Sequence, residues 1–117
     1  MKSSRRSERV GELLRDEISR AVHRVVRDPR VRGVTFTSVR LSSDLRYARV
    51  YYSVIGDRER KEQVREGLLS ARGVIKREVG RQVQLRFMPD MEFFFDDSLG
   101  HAEHIDNLLR RIDDSEA

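Results

Sequence analysis

The stretch "LLSARGVIKREVGRQ" (residues 68–82) holds Arg72, Gly73, Lys76, Arg77 and Arg81. Guanidinium and ammonium groups neutralise phosphates, and a glycine among them lets another backbone come close because it has no side chain. Advancing roughly 100° per residue puts Val64, Leu68, Ala71, Ile75 and Val79 on one stripe of a helix. Gly73, Gly80, Ser70, Lys76, Arg77 and Arg81 fall on the opposite side, with Arg72 at the flank and Leu69 as the one apolar residue there. The glycines therefore do not serve the core. Glycine inside an exposed helix costs about 1 kcal/mol relative to alanine. Two readings answer that cost. Gly73 can break the helix at positive φ, so that the N–H groups of the following helix attract phosphate. Alternatively, the bare helix surface admits another backbone, with Lys76, Arg77 and Arg81 supplying charge alongside.

Other constellations are weaker. Asp96 and Asp97, with Asp90 and Glu92, could mimic the paired carboxylates of a hydrolase or a magnesium site. No histidine-bearing motif or phosphate-cradling glycine loop accompanies them, and Asp97-Ser98 is more economically a helix cap. His101 and His104 have an i, i+3 spacing that can ligate a metal, but the acids around them follow no known motif. An exposed polar face is expected there, and His23 is expected to be a partly exposed packing residue. Tyr47, Tyr51 and Phe94 offer a base-stacking surface, against the competing reading of strand residues half-buried under a helix. No catalytic residue, metal or cofactor is expected.

The elements that must position these residues follow from periodicity. "SERVGELLRDEISRAVHRVVRDPR" repeats apolar residues at i, i+3, i+4 and i+7, with Ser7 as N-cap and Asp28-Pro29 as stop. "GVTFTSVRLSSDLRYARVYYSVIG" reads as two antiparallel strands broken at Ser42-Ser43-Asp44. In the second, Ala48, Val50, Tyr52 and Val54 alternate with Tyr47, Arg49, Tyr51 and Ser53. Gly56-Asp57 opens a helical stretch over residues 58–84, interrupted at Gly73, and "MEFFFDD" is a short strand. Ser98 caps a last helix with Ala102, Ile105, Leu108, Leu109 and Ile112 on its apolar side. This is an α+β chain: a three-stranded sheet with helices packed on one face. Residues 1–112 are expected to form one domain and residues 113–117 a short flexible acidic tail.

Composition narrows the function. The 117 residues contain no cysteine, which removes disulfides, thiol nucleophiles and cysteine zinc sites. No apolar run approaches a membrane span or signal segment, so a cytoplasmic location is expected. Residues 1–89 carry 22 Lys and Arg against 11 Asp and Glu, whereas residues 90–117 carry 2 against 9. A basic binding face balanced by an acidic end points to a polyanionic partner, nucleic acid before membrane.

Helix–kink–helix between strands, with basic residues at the kink, is how KH domains meet single-stranded nucleic acid, normally through Gly-x-x-Gly. No two glycines here are three apart; Ala71-Arg72-Gly73 stands in that place. The stretches "RVGELLRDEISRAV", "RDPRVRGVTFTSVRLSSDLRYARVYYSVIGD", "LLSARGVIKREVGRQVQLRFMPDMEFFFDDS" and "IDNLL" resemble the bacterial ribosome-binding factor A family from about Arg9 to Leu109. The resemblance implies a type II KH-like fold (αββααβ, here with a C-terminal helix) in which an Ala-x-Gly kink, Ala71 and Gly73, replaces the loop. It implies a monomeric, non-catalytic assembly factor that binds the free, immature small (30S) ribosomal subunit and its 16S rRNA. Support of rRNA 5′-end maturation and of growth in the cold belongs to the same expectation, and an assembly GTPase is an allowed partner. The RNA contacts would centre on Arg72, Gly73, Lys76, Arg77 and Arg81, with Arg5, Arg6 and Arg9, and Arg46 and Arg49 from the hairpin, as secondary candidates. The alternative is a protein–protein adaptor in ribosome biogenesis, whose acidic C-terminal helix docks on a basic partner while RNA contact is incidental.

Overall fold

A computed structural model describes residues 5–98. Helix α1 spans Arg5–Val25, and a short 3-10 turn, Pro29–Val31, follows it. Strands β1 (Thr35–Leu41) and β2 (Tyr47–Ser53) come next, then helix α2 (Arg58–Gln82) and strand β3 (Asp90–Phe95). The sheet order is β1-β2-β3, with β1 and β2 antiparallel and β2 and β3 parallel. Helix α2 makes the crossover that a parallel pair requires. The last helix and the acidic tail expected from the sequence lie outside the described residues.

Alternation sets the two faces of the sheet. Phe36, Val39, Leu41, Ala48, Val50, Tyr52 and Met91 are buried on the face that meets the helices. Leu14, Ile18 and Ala21 from α1, with Val64, Leu68, Ala71, Ile75 and Val79 from α2, complete the core. All five residues of the α2 stripe read from the sequence are in it. The hairpin turn is held by side chains: Tyr47 N donates to Ser42 Oγ (3.0 Å), and Ser42 Oγ donates to Asp44 Oδ1 (2.7 Å). Leu45 takes a left-handed conformation there (φ 61°) and packs its side chain against the core.

Two glycines permit the layers to approach. A Cβ on Gly11 would lie 2.4 Å from the carbonyl oxygen of Val39, so α1 rests directly on the backbone of β1. A Cβ on Gly67 would lie 2.9 Å from Val31 Cγ1 and 3.0 Å from Arg30 Cβ, where the 3-10 turn meets α2. That turn is fastened further. Asp28 caps it through Arg30 N (3.0 Å) and pairs with the Arg30 guanidinium (2.6 Å). Arg60 Nη1 donates to the Arg30 carbonyl (2.8 Å), and Arg60 Nη2 donates to that of Arg32. Asp28-Pro29-Arg30 is thus a structural clasp. Ser7 is not the cap that the sequence suggested: the helix already runs from Arg5, and Ser7 is buried within it.

The seam between α1 and α2 holds two buried carboxylates, Glu17 and Glu78. Arg24 bridges them, at 2.7 Å to Glu17 Oε1 and 3.3 Å to Glu78 Oε1. Arg20 adds a contact to Glu17 (3.0 Å) and Arg81 one to Glu78 (3.4 Å). The Arg24 guanidinium, helped by Arg20, holds the Glu17 carboxyl below its ordinary value against the opposing effect of burial.

Two outcomes follow. Gly11→Ala should lower stability by about 1–3 kcal/mol, the usual cost of overpacking, less the gain in helix propensity; a urea melt measures it. Because the folded-state pKa of Glu17 is depressed, its stabilisation is present above the ordinary value and is lost as pH falls through the lowered one. Glu17→Gln should therefore melt earlier than wild type at neutral pH, and the gap should close as pH falls below about 4.5.

Candidate nucleic-acid interface

Helix α2 carries the centre of the expected interface, and the expected break in it is absent. The helix is continuous through Ala71, Arg72 and Gly73, and the positive-φ glycines among the described residues are Gly33 and Gly56. Burial explains why. Ile75 and Val79, beyond the supposed kink, are fully buried on the same stripe as Leu68 and Ala71. Each buried aliphatic side chain contributes about 1.5–3 kcal/mol, which outweighs one helical glycine at about 1 kcal/mol. Two helices expected between β2 and β3 are therefore one. With no second helix N-terminus at Gly73, the proposed anion site at a kink has no donors there.

Gly73 itself is exposed, and a Cβ built on it meets nothing within 4 Å. Nothing among the described residues accounts for a glycine at that position. Gly80 differs: a Cβ there would lie 3.3 Å from Met88 Cγ, so the chain's own loop takes up that close approach.

The expected basic residues divide into groups. Arg72, Gly73 and Lys76 come together with Asp90, Met91 and Glu92 around a shallow cavity of about 350 Å³. Lys76 donates to Asp90 Oδ1 at 3.0 Å, so acidic residues from the start of β3 lie within the basic patch. Exposed pairs of this kind are worth about 0–1 kcal/mol, and a phosphate can displace one at little cost. Arg72 and Arg77 are exposed and form no ion pair among the described residues. Arg81 is committed to Glu78 and hence to the helix seam. Arg46 lies 4.0 Å from Asp44 beside the hairpin turn. Arg5, Arg6 and Arg9 are exposed on the first turns of α1.

Arg49 belongs to the sheet face turned away from the helices. Register puts Tyr47, Arg49 and Tyr51 beside Asp90, Glu92 and Phe94 on that face. Tyr51 and Phe94 have ring centroids 5.8 Å apart, and the Arg49 guanidinium lies 5.8 Å from the Phe94 centroid. These aromatics are not buried under a helix: Tyr47 is 58% exposed and Phe94 38%. Arg40, directly opposite Arg49 on β1, joins them and was not singled out from the sequence. The strand alternation that found Arg49 on β2 would have found it on β1, but for an irregularity between Phe36 and Ser38 that shifts the register. Exposed Phe87, with Arg86 against its ring at 5.6 Å, was also missed, because no periodicity marks a loop.

The acidic residues do not assemble a reaction centre. Asp96 accepts from Ser98 N (2.9 Å) and Thr37 Oγ1 (2.6 Å), and the Ser98 hydroxyl, then Thr37 and the Ser98 N–H, lower its carboxyl from the ordinary value. Asp96 thus closes a local turn onto Ser98 N, and the helix that Asp97-Ser98 was expected to cap lies outside the described residues. Among the described residues no group of three His, Asp or Glu side chains is placed to hold a metal, and His101 and His104 lie outside them. His23 is exposed.

Over the described residues, fold and surface define a small basic α+β protein, with two α-helices and a three-stranded mixed sheet. The chain belongs to the ribosome-binding factor A family, whose profile matches residues 6–109. It is similar to the solution structure of a Thermotoga maritima protein taken to be a ribosome-binding factor A. Identity there is 30% and the TM-score 0.69, over 80% of this chain and 90% of that one. The crystal structure of Thermus thermophilus ribosome-binding factor A matches at 24% identity and a TM-score of 0.67, over 75% and 93% of the two chains. A Thermus thermophilus homology model fitted into a cryo-EM map of a 30S–ribosome-binding factor A complex matches at 24% and 0.59, over 82% and 97%.

Since Gly73 has open space around it, Gly73→Ala should keep the fold and raise stability by about 1 kcal/mol. That corresponds to about 4–8 °C in a thermal melt of a domain this size.

Proposed function

We propose that this chain is a non-catalytic assembly factor of the small ribosomal subunit. It binds the immature 30S particle through 16S rRNA, acts in the cytoplasm, and supports late maturation and processing of the rRNA 5′ end, with most effect in the cold. Family membership supports the assembly role, and the 30S complex of the Thermus thermophilus protein supports the partner. Among the described residues no helix is long and apolar enough to cross a membrane, which fits a partner met in solution.

The observation that carries the RNA reading is the exposed helical Gly73 between Arg72, Lys76 and Arg77. It costs the free protein stability, and no group among the described residues fills the space beside it. A backbone can approach α2 there, with Arg72 and Arg77 free to meet its phosphates and Lys76 able to exchange Asp90 for one. Arg5, Arg6, Arg9, Arg46 and Arg49 are outer contacts in this reading. Arg81 contributes less than its charge suggests, because it already neutralises Glu78. The mechanism is positioning: the bound protein holds an rRNA segment in a non-final conformation until the subunit matures. An assembly GTPase would then act on the bound state.

Arg72→Glu with Arg77→Glu should abolish binding to immature small subunits without lowering the melting temperature. Wild-type affinity should fall steeply with salt, since counterions are released from each neutralised phosphate. Sedimentation with immature subunits over a salt series checks both. Persistent binding by the double variant would favour a protein–protein adaptor instead. Arg81→Glu is the wrong probe, because it sets a second carboxylate against buried Glu78 and should destabilise the helix seam.

A further inference from the structure

The face of the sheet that carries no helix among the described residues combines two features that the α2 patch lacks. The first is a repulsion. Arg40 and Arg49 stand directly opposite one another across β1 and β2, and neither is ion-paired among the described residues. Like charges so placed destabilise a strand pair, and an anion shared between them reverses the sign. The second is an aromatic surface one step along the strands. Tyr51 and Phe94 pack ring to ring, Arg49 lies against Phe94, and Tyr47, mostly exposed, follows on the other side of Arg49 along β2.

We propose that this face is a second RNA-contact site, which stacks unpaired bases on Tyr47, Tyr51 and Phe94 and holds a phosphate between Arg40 and Arg49. The proposal rests on the RNA-binding function argued above and names which form of RNA is bound. A cavity of about 440 Å³ lies beside the two arginines, lined also by Ser38 and Tyr51. Its acidic surroundings choose the ligand. Glu8 and Glu12 line that cavity too, and Glu92 neighbours Arg49 on β3. Asp90 is held by Lys76, and Asp96 by Ser98 and Thr37, with Arg40 attracting it from beyond ion-pair distance. A duplex, which presents two rows of phosphates and hides its base faces, is disfavoured on such a surface. An acidic peptide meets the same carboxylates and brings no π-face. A single strand with its bases turned toward the sheet places few phosphates near the acids and gives the rings something to stack on.

The test uses the full chain and fluorescence anisotropy with a labelled unpaired RNA oligonucleotide and with a duplex of the same sequence. Phe94→Leu keeps apolar bulk but loses the aromatic face, and Tyr47→Ala alters the most exposed ring, so one of them is expected to leave the melting curve intact. Each should weaken binding of the unpaired RNA by about tenfold, with the salt dependence unchanged. Duplex binding should not move. Arg40→Gln with Arg49→Gln should instead reduce the salt dependence. Folded aromatic variants that bind unpaired RNA like wild type, while Arg72→Glu with Arg77→Glu does not, would overturn this proposal and leave the assembly function standing. Loss of subunit binding with unchanged affinity for free RNA would also overturn it, and would assign the face to a ribosomal protein. A wild-type chain that binds neither RNA nor immature subunits would remove the assembly reading as well.

Discussion

Helix α1 can share a core with the sheet because no side chain stands between Gly11 and the Val39 carbonyl. That contact sets how deeply α1 sits on β1, and so whether Leu14, Ile18 and Ala21 reach the core. Gly67 does the same for α2, letting the clasp of Asp28, Pro29 and Arg30 lie against it. With both helices drawn in, Glu17 and Glu78 are carried into the seam between them, and Arg24 must bridge the two. The charge network is a consequence of the close approach. A buried carboxylate without a partner would cost several kcal/mol, so the seam tolerates these acids only because arginines reach them.

The arginine surplus therefore serves two purposes. Arg20, Arg24, Arg30, Arg60 and Arg81 are engaged in holding the fold together, through carboxylates or backbone carbonyls. Arg72, Arg77, Arg40 and Arg49, like Arg5, Arg6 and Arg9 on α1, have no such partner among the described residues and are among the cations left for an external anion. Net charge counts the two groups alike. Only the second sets the surface potential that a phosphate backbone would meet, and it includes one flank of α2, the first turns of α1 and the outer face of the sheet.

Helix and strand identities were legible because one apolar residue in three or four, or in two, is dictated by which side meets the core. The stripe of Val64, Leu68, Ala71, Ile75 and Val79 and the alternation from Tyr47 to Ser53 both correspond to buried and exposed sides as expected. Gly73 was misjudged for a physical reason. Local propensity names a cost but cannot say whether the helix breaks or bears it, and here the burial of Ile75 and Val79 decides that it bears it. The roles of Gly11 and Gly67 were not legible at all. A glycine that admits another element looks the same in sequence as one facing solvent.

By itself, then, the sequence determined the element order, the faces of each element and the excess of positive charge, all of which depend on neighbours a few residues apart. The family was legible too, since it rests on the order and spacing of short stretches. Tertiary structure decided which charges are free. Arg81 and Arg77 are four residues apart on one helix, yet one is tied to Glu78 and the other is exposed without an ion pair. It also decided that Arg40 faces Arg49 and that Tyr51 meets Phe94, through strand register. Pairings between distant residues are set by how whole elements pack, which no local pattern records.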